Sequence, residues 1–181
     1  MQEHEAVARL KRGDIGGLEA LVHRYQEPAL HAAFLICRDQ ALAEDLVQAA
    51  FVRVYERIDQ FDASRAFAPW FIRSVANDAL KAVTRHPFVP LDPARAEEPA
   101  PLDESPEAVL AAAETREAVW AALDRLSPPQ RAAIVLRYYC DLNDLEVAQQ
   151  LGCPPGTARR RLHDARQRLR HLLPAWLQPV R

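Results

Sequence analysis

"NDLEVAQQLGCPPGTARRRLHDARQRLR", residues 143–170, decides how the rest of this chain is read. Asn143 with Glu146 three residues later is a capping pair. The amide oxygen accepts from the first free N–H groups of a helix, and the glutamate reaches back to the cap residue's own N–H. The helix runs to Leu151, Gly152 supplies a left-handed turn, and Pro154 and Pro155 restart the chain. Six arginines and one aspartate then fall between residues 156 and 170. At helical spacing Ala158, Leu162, Ala165 and Leu169 share an inward face, while Arg159, Arg160, His163, Gln167 and Arg170 point the other way. A short capped helix, a glycine turn and an arginine-rich second helix form the pattern of a helix-turn-helix. In that motif the start of the second helix meets base edges in the major groove, which places Thr157, Arg159 and Arg160 nearest the bases. Arg161 flanks the apolar stripe and is directed to a phosphate or an internal carboxylate.

Upstream, Ser127, Pro128 and Gln130 have the form of a cap, a first-turn proline and a capping-box partner, predicting a helix to Tyr139. In the first half, Val47, Phe51, Val54 and Ile58 make one apolar stripe, and Ile72, Val75, Ala76, Ala79 and Val83 another. Strand alternation and hairpin signals are missing, so the chain is predicted to be all-α, each half a small bundle. A helix over 69–84 carries Trp70, Arg73, Asn77, Lys81 and Thr84 opposite its apolar stripe. An aromatic platform, two cations and an amide are what holding a single strand, or a duplex at a groove, requires. The loop "QFDASRAF" before it brings Phe61, Arg65 and Phe67 close, and such aromatics stack bases for about 1–3 kcal/mol each, provided they are exposed.

The formal net charge is −2, but it is segregated: about −3 over residues 1–60, +2 over 61–85, −5 over 86–107, −2 over 108–154 and +6 over 155–181. Two basic islands flank an acidic stretch that holds six of the fourteen prolines. That stretch reads as an extended linker between two small domains, as a plain tether or as a segment that occupies a positive channel on a partner. No apolar run approaches the ~20 residues of a membrane span, and the first residues lack a secretory core, so a cytoplasmic setting is expected. Cys37, Cys140 and Cys153 show no close pairing and read as small buried hydrophobes. "GDIGG" at 13–17 reads as a turn capped by Asp14 rather than a phosphate loop. No nucleophile, base or metal-ligand spacing is present, so neither catalysis nor a cofactor is expected.

With "AEDLVQAAFVRVYERIDQFD" at 43–62, "FAPWFIRSVANDALK" at 67–81 and "LSPPQRAAIVLRYYCDLNDLEVAQQLG" at 126–152, followed by the arginine helix, the chain resembles the extracytoplasmic-function sigma factors, two-domain bacterial proteins that direct RNA polymerase to promoters. The resemblance spans residues 15–172. It implies a region-2 domain over 1–85 that binds the polymerase clamp and the minus-ten element, a linker over 86–107, a region-4 domain over 108–173 for the minus-thirty-five element, and a short tail over 174–181 with no further domain. Asp45 and Gln48 would face the clamp. Phe61, Arg65, Phe67, Trp70, Arg73, Asn77 and Lys81 would hold the opened non-template strand. Thr157, Arg159, Arg160, Arg161, His163 and Arg166 would contact the minus-thirty-five duplex. Core RNA polymerase, promoter DNA and an anti-sigma factor are the implied partners, with no insertion into a membrane. Asp164 stands where relatives often carry a basic residue and Arg160 where they carry a hydroxyl, so the promoter sequence does not transfer. A helix-turn-helix regulator that acts without polymerase is the alternative reading, and a helical adaptor that binds only protein leaves both arginine-rich faces unexplained.

Overall fold

The computed structural model describes residues 2–85 and 106–177. Among these the chain is helical throughout, without strands: α1 (Glu3–Lys11), α2 (Ile15–Cys37), α3 (Gln40–Arg57), α4 (Phe67–Arg85), α5 (Pro106–Asp124), α6 (Pro128–Ile134), α7 (Asp144–Gln150) and α8 (Pro155–Leu172). Short 3-10 turns cover Ile58–Gln60 and Ala175–Leu177, and a π-helical turn, Val135–Tyr139, extends α6.

The starts follow from capping chemistry. Asp14 accepts from the Gly16 N–H at 2.9 Å and Asp39 from the Leu42 N–H at 3.0 Å, so α2 and α3 begin on carboxylates that satisfy orphan donors. Ser127 N–H donates to Gln130 Oε1 at 3.1 Å at the start of α6. At α7 the box is reciprocal: Asn143 Oδ1 accepts from Leu145 and Glu146, while Asn143 N–H donates to Glu146 Oε2 at 2.9 Å. Gly152 takes φ 58° as the turn into α8 demands. Most of the acidic stretch, residues 86–105, lies outside the described residues. Its last two positions differ from expectation: Pro106 and Glu107 open α5 instead of closing a linker, because a proline's missing N–H costs nothing in a first turn.

Helix α2 is the axis of the first half, and α1, α3 and α4 pack around it. Phe34, Phe67, Phe71, Leu21 and Ile36 are among the largest fully buried side chains there. The Tyr25 hydroxyl donates to the Glu3 carboxylate, whose other oxygen accepts from the Phe67 N–H at 2.9 Å, which ties the start of α1 to the start of α4. Burial raises the Tyr25 pKa, and the glutamate it donates to raises it further, to about 12. Burial alone would raise that of Glu3, but the tyrosine hydroxyl and the backbone N–H outweigh it and hold the carboxyl below its ordinary range. In the second half Leu142, Val147, Ala158, Leu162 and Ala165 close the angle between α6, α7 and α8. Cys37 and Cys140 are buried, as expected, and Cys153 is half-buried.

At Gly17, α1 and α2 touch backbone to backbone. A Cβ there would sit 2.4 Å from the Ala6 carbonyl oxygen and 2.6 Å from the Leu10 nitrogen, whereas one at Gly156 would meet nothing within 4 Å. Gly17→Ala is expected to force α1 off α2 and to cost more than about 2 kcal/mol. Gly156→Ala should hold or raise the thermal midpoint. Paired thermal melts followed by circular dichroism check this, and equal midpoints for the two variants would contradict the close approach.

Candidate nucleic-acid interface

Helix α8 presents its cations as its periodicity dictates. Ala158, Leu162 and Ala165 are buried and Leu169 is partly so, which turns Thr157, Arg159, Arg160 and His163 to the exterior. Asp164 approaches Arg160, Oδ2 to Nε, at 3.8 Å, so one carboxylate sits inside the basic row. Arg161 is half-buried on the flank and has no carboxylate partner among the described residues. Arg166 is also half-buried, and its Nε donates to the Tyr138 hydroxyl at 2.8 Å.

The second surface is the face of α4 opposite its buried stripe. Trp70 is 40% exposed. Arg73, Asn77 and Lys81 follow on the same side, with Lys81 held 3.8 Å from Asp78. Phe61 and Phe67 depart from expectation. They are 5% and 0% exposed, and Phe67 opens α4 instead of lying in the preceding loop. Their rings pack at 5.6 Å from each other and at 4.9 and 5.6 Å from Trp70, so the apolar demand of the bundle claims them and neither offers a face to a base. Arg65 remains fully outside, 3.3 Å from Asp62. Trp70 thus forms the edge of an aromatic cluster and has a cleft on each side.

One cleft, of about 610 Å³, lies between Arg65, Trp70, Arg73 and Asn77 on one wall and Glu146 and Gln149 of α7 on the other. Arg73 reaches Glu146 at 3.6 Å. The other, about 330 Å³, includes Arg53, Arg57, Gln60 and Ser74. Arg53 pairs with Asp78 of α4. Sequence reasoning missed Arg53 and Arg57, although their four-residue spacing put them on one face of α3. Asp45 and Gln48 are exposed on α3. Gln48 and Glu44 border a groove of about 460 Å³ floored by Val22, Leu30, Val47 and Phe51. The α2 side of that groove was not anticipated.

The two halves touch through apolar packing and through charge. Arg38, at the end of α2, takes φ 59° and is only 3% exposed. Its guanidinium lies 4.7 Å from the Phe34 ring and 4.4 Å from that of Trp120, and it pairs with Asp124 at the end of α5 through both carboxylate oxygens. Arg131, on α6, donates to the Ile36 carbonyl at 3.0 Å. Burial lowers its pKa, and the neighbouring Arg38 charge lowers it further, to about 10. His31 stacks on Tyr139 at 5.4 Å, and the Tyr139 hydroxyl donates to the Pro28 carbonyl at 3.0 Å.

The sequence matches the family description "Sigma-70 region 2" over residues 21–87 and "Sigma-70, region 4" over residues 116–169. It is 32% identical over 172 residues to an ECF RNA polymerase sigma-E factor of Escherichia coli, covering 89% of this chain and 88% of that one. It is 29% identical over 175 residues to an RNA polymerase sigma-H factor of Pseudomonas aeruginosa, covering 92% and 91%. Two solved structures share the fold. CnrH, in complex with the cytosolic domain of CnrY, has a TM-score of 0.60 at 24% identity, covering 94% of this chain and 96% of that one. The sigma factor RpoE of Bartonella quintana, in complex with the anti-sigma factor NepR, has 0.60 at 22%, covering 85% and 94%.

Asp124 is the carboxylate that faces both buried guanidiniums, 3.8 Å from Arg131 as well as paired with Arg38. Removing it leaves two like charges buried together. Because Asp124 itself is 38% exposed, the cost of Asp124→Ala is reduced by solvent to about 1–3 kcal/mol. The halves are expected to separate in the free protein. Small-angle scattering should show a larger radius of gyration at unchanged helix content, and an unchanged radius would show that charge does not hold the halves together.

Proposed function

The chain belongs to the extracytoplasmic-function sigma factors, and from that premise we propose how its surfaces divide the work of promoter recognition. It binds core RNA polymerase and directs initiation to particular promoters. The α8 row, with Thr157, Arg159, Arg160 and His163 foremost, enters the major groove of the minus-thirty-five element, where arginines read guanine edges. Arg161 and Arg166 take phosphates from the flanks. Trp70, Arg73, Asn77, Lys81 and Arg65 hold the opened strand of the minus-ten element, and Phe61 and Phe67 act from beneath as the packing that sets Trp70. Asp45 and Gln48, the latter at the apolar groove between α2 and α3, dock on the polymerase clamp. The observation that carries this reading is the exposed arginine row of α8 on the same chain as the Trp70–Asn77 face, each within a matched sigma-70 region.

Distance supports a further step. Elements centred about 25 base pairs apart lie about 85 Å apart along B-DNA. Arg73 of α4 and Glu146 of α7, by contrast, stand 3.6 Å apart. The halves therefore part when both elements are bound. The twenty residues 86–105 reach about 70 Å when extended, enough to bridge most of that span before the bulk of the two halves is added. Their carboxylates suit passage along a positively charged polymerase channel.

The Bartonella quintana structural neighbour is solved with an anti-sigma factor, and we extend that kind of partner to this chain. Among the described residues no helix is long and apolar enough to cross a membrane. The protein acts in the cytoplasm, where polymerase and promoter are, and carries out no chemistry of its own.

Run-off transcription with bacterial core polymerase over a pool of promoters is expected to yield new start sites only when this protein is added. Specific binding by the free chain with no change in start sites would favour the regulator that works without polymerase. Within the same assay, replacing Arg159 and Arg160 together by Ala should cost about 1–3 kcal/mol of discrimination for each base edge that is no longer read. Unaltered promoter choice would remove these two arginines from the reading surface.

A further inference from the structure

Tyr138 is 61% exposed, an unusual position for an aromatic ring with a defined partner. Its hydroxyl accepts a hydrogen bond from Arg166 Nε at 2.8 Å, and the guanidinium carbon lies 5.7 Å from the ring centre. The local backbone is built to put it there. Over Val135–Tyr139 the helix widens to a π-turn, the Cys140 N–H donating to the Val135 carbonyl at 3.1 Å and the Leu142 N–H to the Leu136 carbonyl at 3.1 Å. Asp141 then takes φ 51°. A π-turn adds a residue to the helical repeat and so re-aims the side chains that follow it, which is why such turns collect at functional positions.

The chemistry of the pair separates it from Arg160, a second anchored cation of α8. Arg160 is approached at 3.8 Å by a carboxylate, Asp164, which partly offsets its charge at an exposed site. Arg166 is held by a neutral hydroxyl, which fixes the guanidinium and leaves its charge intact. Because the guanidinium is planar, one bond at Nε together with the ring contact sets its plane, and the four N–H groups of Nη1 and Nη2 are left for an outside acceptor. At about 100° per residue Arg166 falls within roughly 20° of Arg159 on the helix circumference, so the held guanidinium lies along the same side of α8 as a foremost base-contact residue. A fixed, undischarged fork beside a base-reading row is suited to a phosphate oxygen of the same duplex.

We propose that Tyr138 is a positioning residue that holds Arg166 against a phosphate of the DNA duplex. This rests on the reading of α8 as the duplex-binding helix, and it adds a residue outside that helix to the machinery.

The test is a double-mutant cycle in the full chain, with Tyr138→Phe, Arg166→Ala and the pair. Binding to a mixed-sequence 30-base-pair duplex is followed by fluorescence anisotropy across a potassium chloride series. A phosphate contact needs no particular sequence, so the generic duplex suffices. Arg166→Ala is expected to reduce the slope of log affinity against log salt by about 0.9. Tyr138→Phe keeps the ring and removes the acceptor. It should weaken binding roughly three- to tenfold, as expected when one side chain must be immobilised on binding. In the Arg166→Ala background the same change should have no effect. Equal weakening in both backgrounds, or none in either, overturns the proposal, and thermal melts confirm that all four proteins fold alike. If none of the four binds the duplex while run-off transcription succeeds, the phosphate role falls and the initiation reading stands. If the cycle comes out as expected and run-off fails, the initiation reading falls alone.

Discussion

The contact between Arg38 and Asp124 decides what every other surface of this molecule can meet. It sits where α2 ends, and α2 is the helix on which α1, α3 and α4 all pack, so whatever docks there is oriented relative to the whole first half. A non-glycine residue with φ 59° carries a backbone cost of about 1–2 kcal/mol. It persists because its side chain is fixed on three sides, by the Phe34 ring, the Trp120 ring and the Asp124 carboxylate. Arg131 adds a second cross-link to the last turn of α2 through the Ile36 carbonyl. With α5 and α6 fastened in this way, α7 is carried over to the α4 face, and Glu146 meets Arg73.

The junction joins ions to an apolar seam: Trp120 packs on Phe34 and His31, and buried residues of α2, α4, α6 and the π-turn form one continuous cluster. Separating two apolar faces costs about 25 cal/mol for every Å² returned to water. Separating buried ions returns them to a solvent that welcomes them, so the net cost is small even though removing a single partner is expensive. Arg38 Nη1 and Arg73 Nε are buried without a hydrogen-bond partner among the described residues, which lowers the cost of opening further. The ions therefore specify one arrangement of the halves and add little to the cost of parting them, which the apolar packing sets.

Local features were legible in the sequence because their causes are local. The cap pairs at Asp14, at Ser127 with Gln130 and at Asn143 with Glu146, the left-handed Gly152 and the inward stripe of α8 are each set by residues within a few positions of one another. The resemblance to sigma factors rests on the same kind of information. Three features needed the assembled fold. Phe61 and Phe67 read as loop aromatics, but they lie against Trp70 in a cluster that also reaches Phe71 and Tyr25, a fact of packing and not of spacing. The π-turn at Val135–Tyr139 interrupts what periodicity extends as one helix. The meeting of the halves depends on Arg38 and Asp124, 86 residues apart, and no short-range pattern marks such a pair.

The pairing of cations with carboxylates differs between the two basic surfaces, and that difference sets an order of engagement under the proposed reading. On and beside α4, four cations are paired: Arg73 with Glu146, Arg53 and Lys81 with Asp78, Arg65 with Asp62. On α8, Asp164 offsets Arg160, while Arg159 and Arg161 stand with no carboxylate near them among the described residues. DNA approaching the closed molecule meets the α8 row first, since neutralising phosphates with unpaired arginines displaces only counterions. The α4 face must first lose Glu146, which happens only when α7 leaves with its half. Duplex docking on α8 thus precedes strand capture on α4. A chain whose net charge is slightly negative reaches this order through where its carboxylates sit, several of them against the strand-binding face and one, Asp164, within the duplex-binding row.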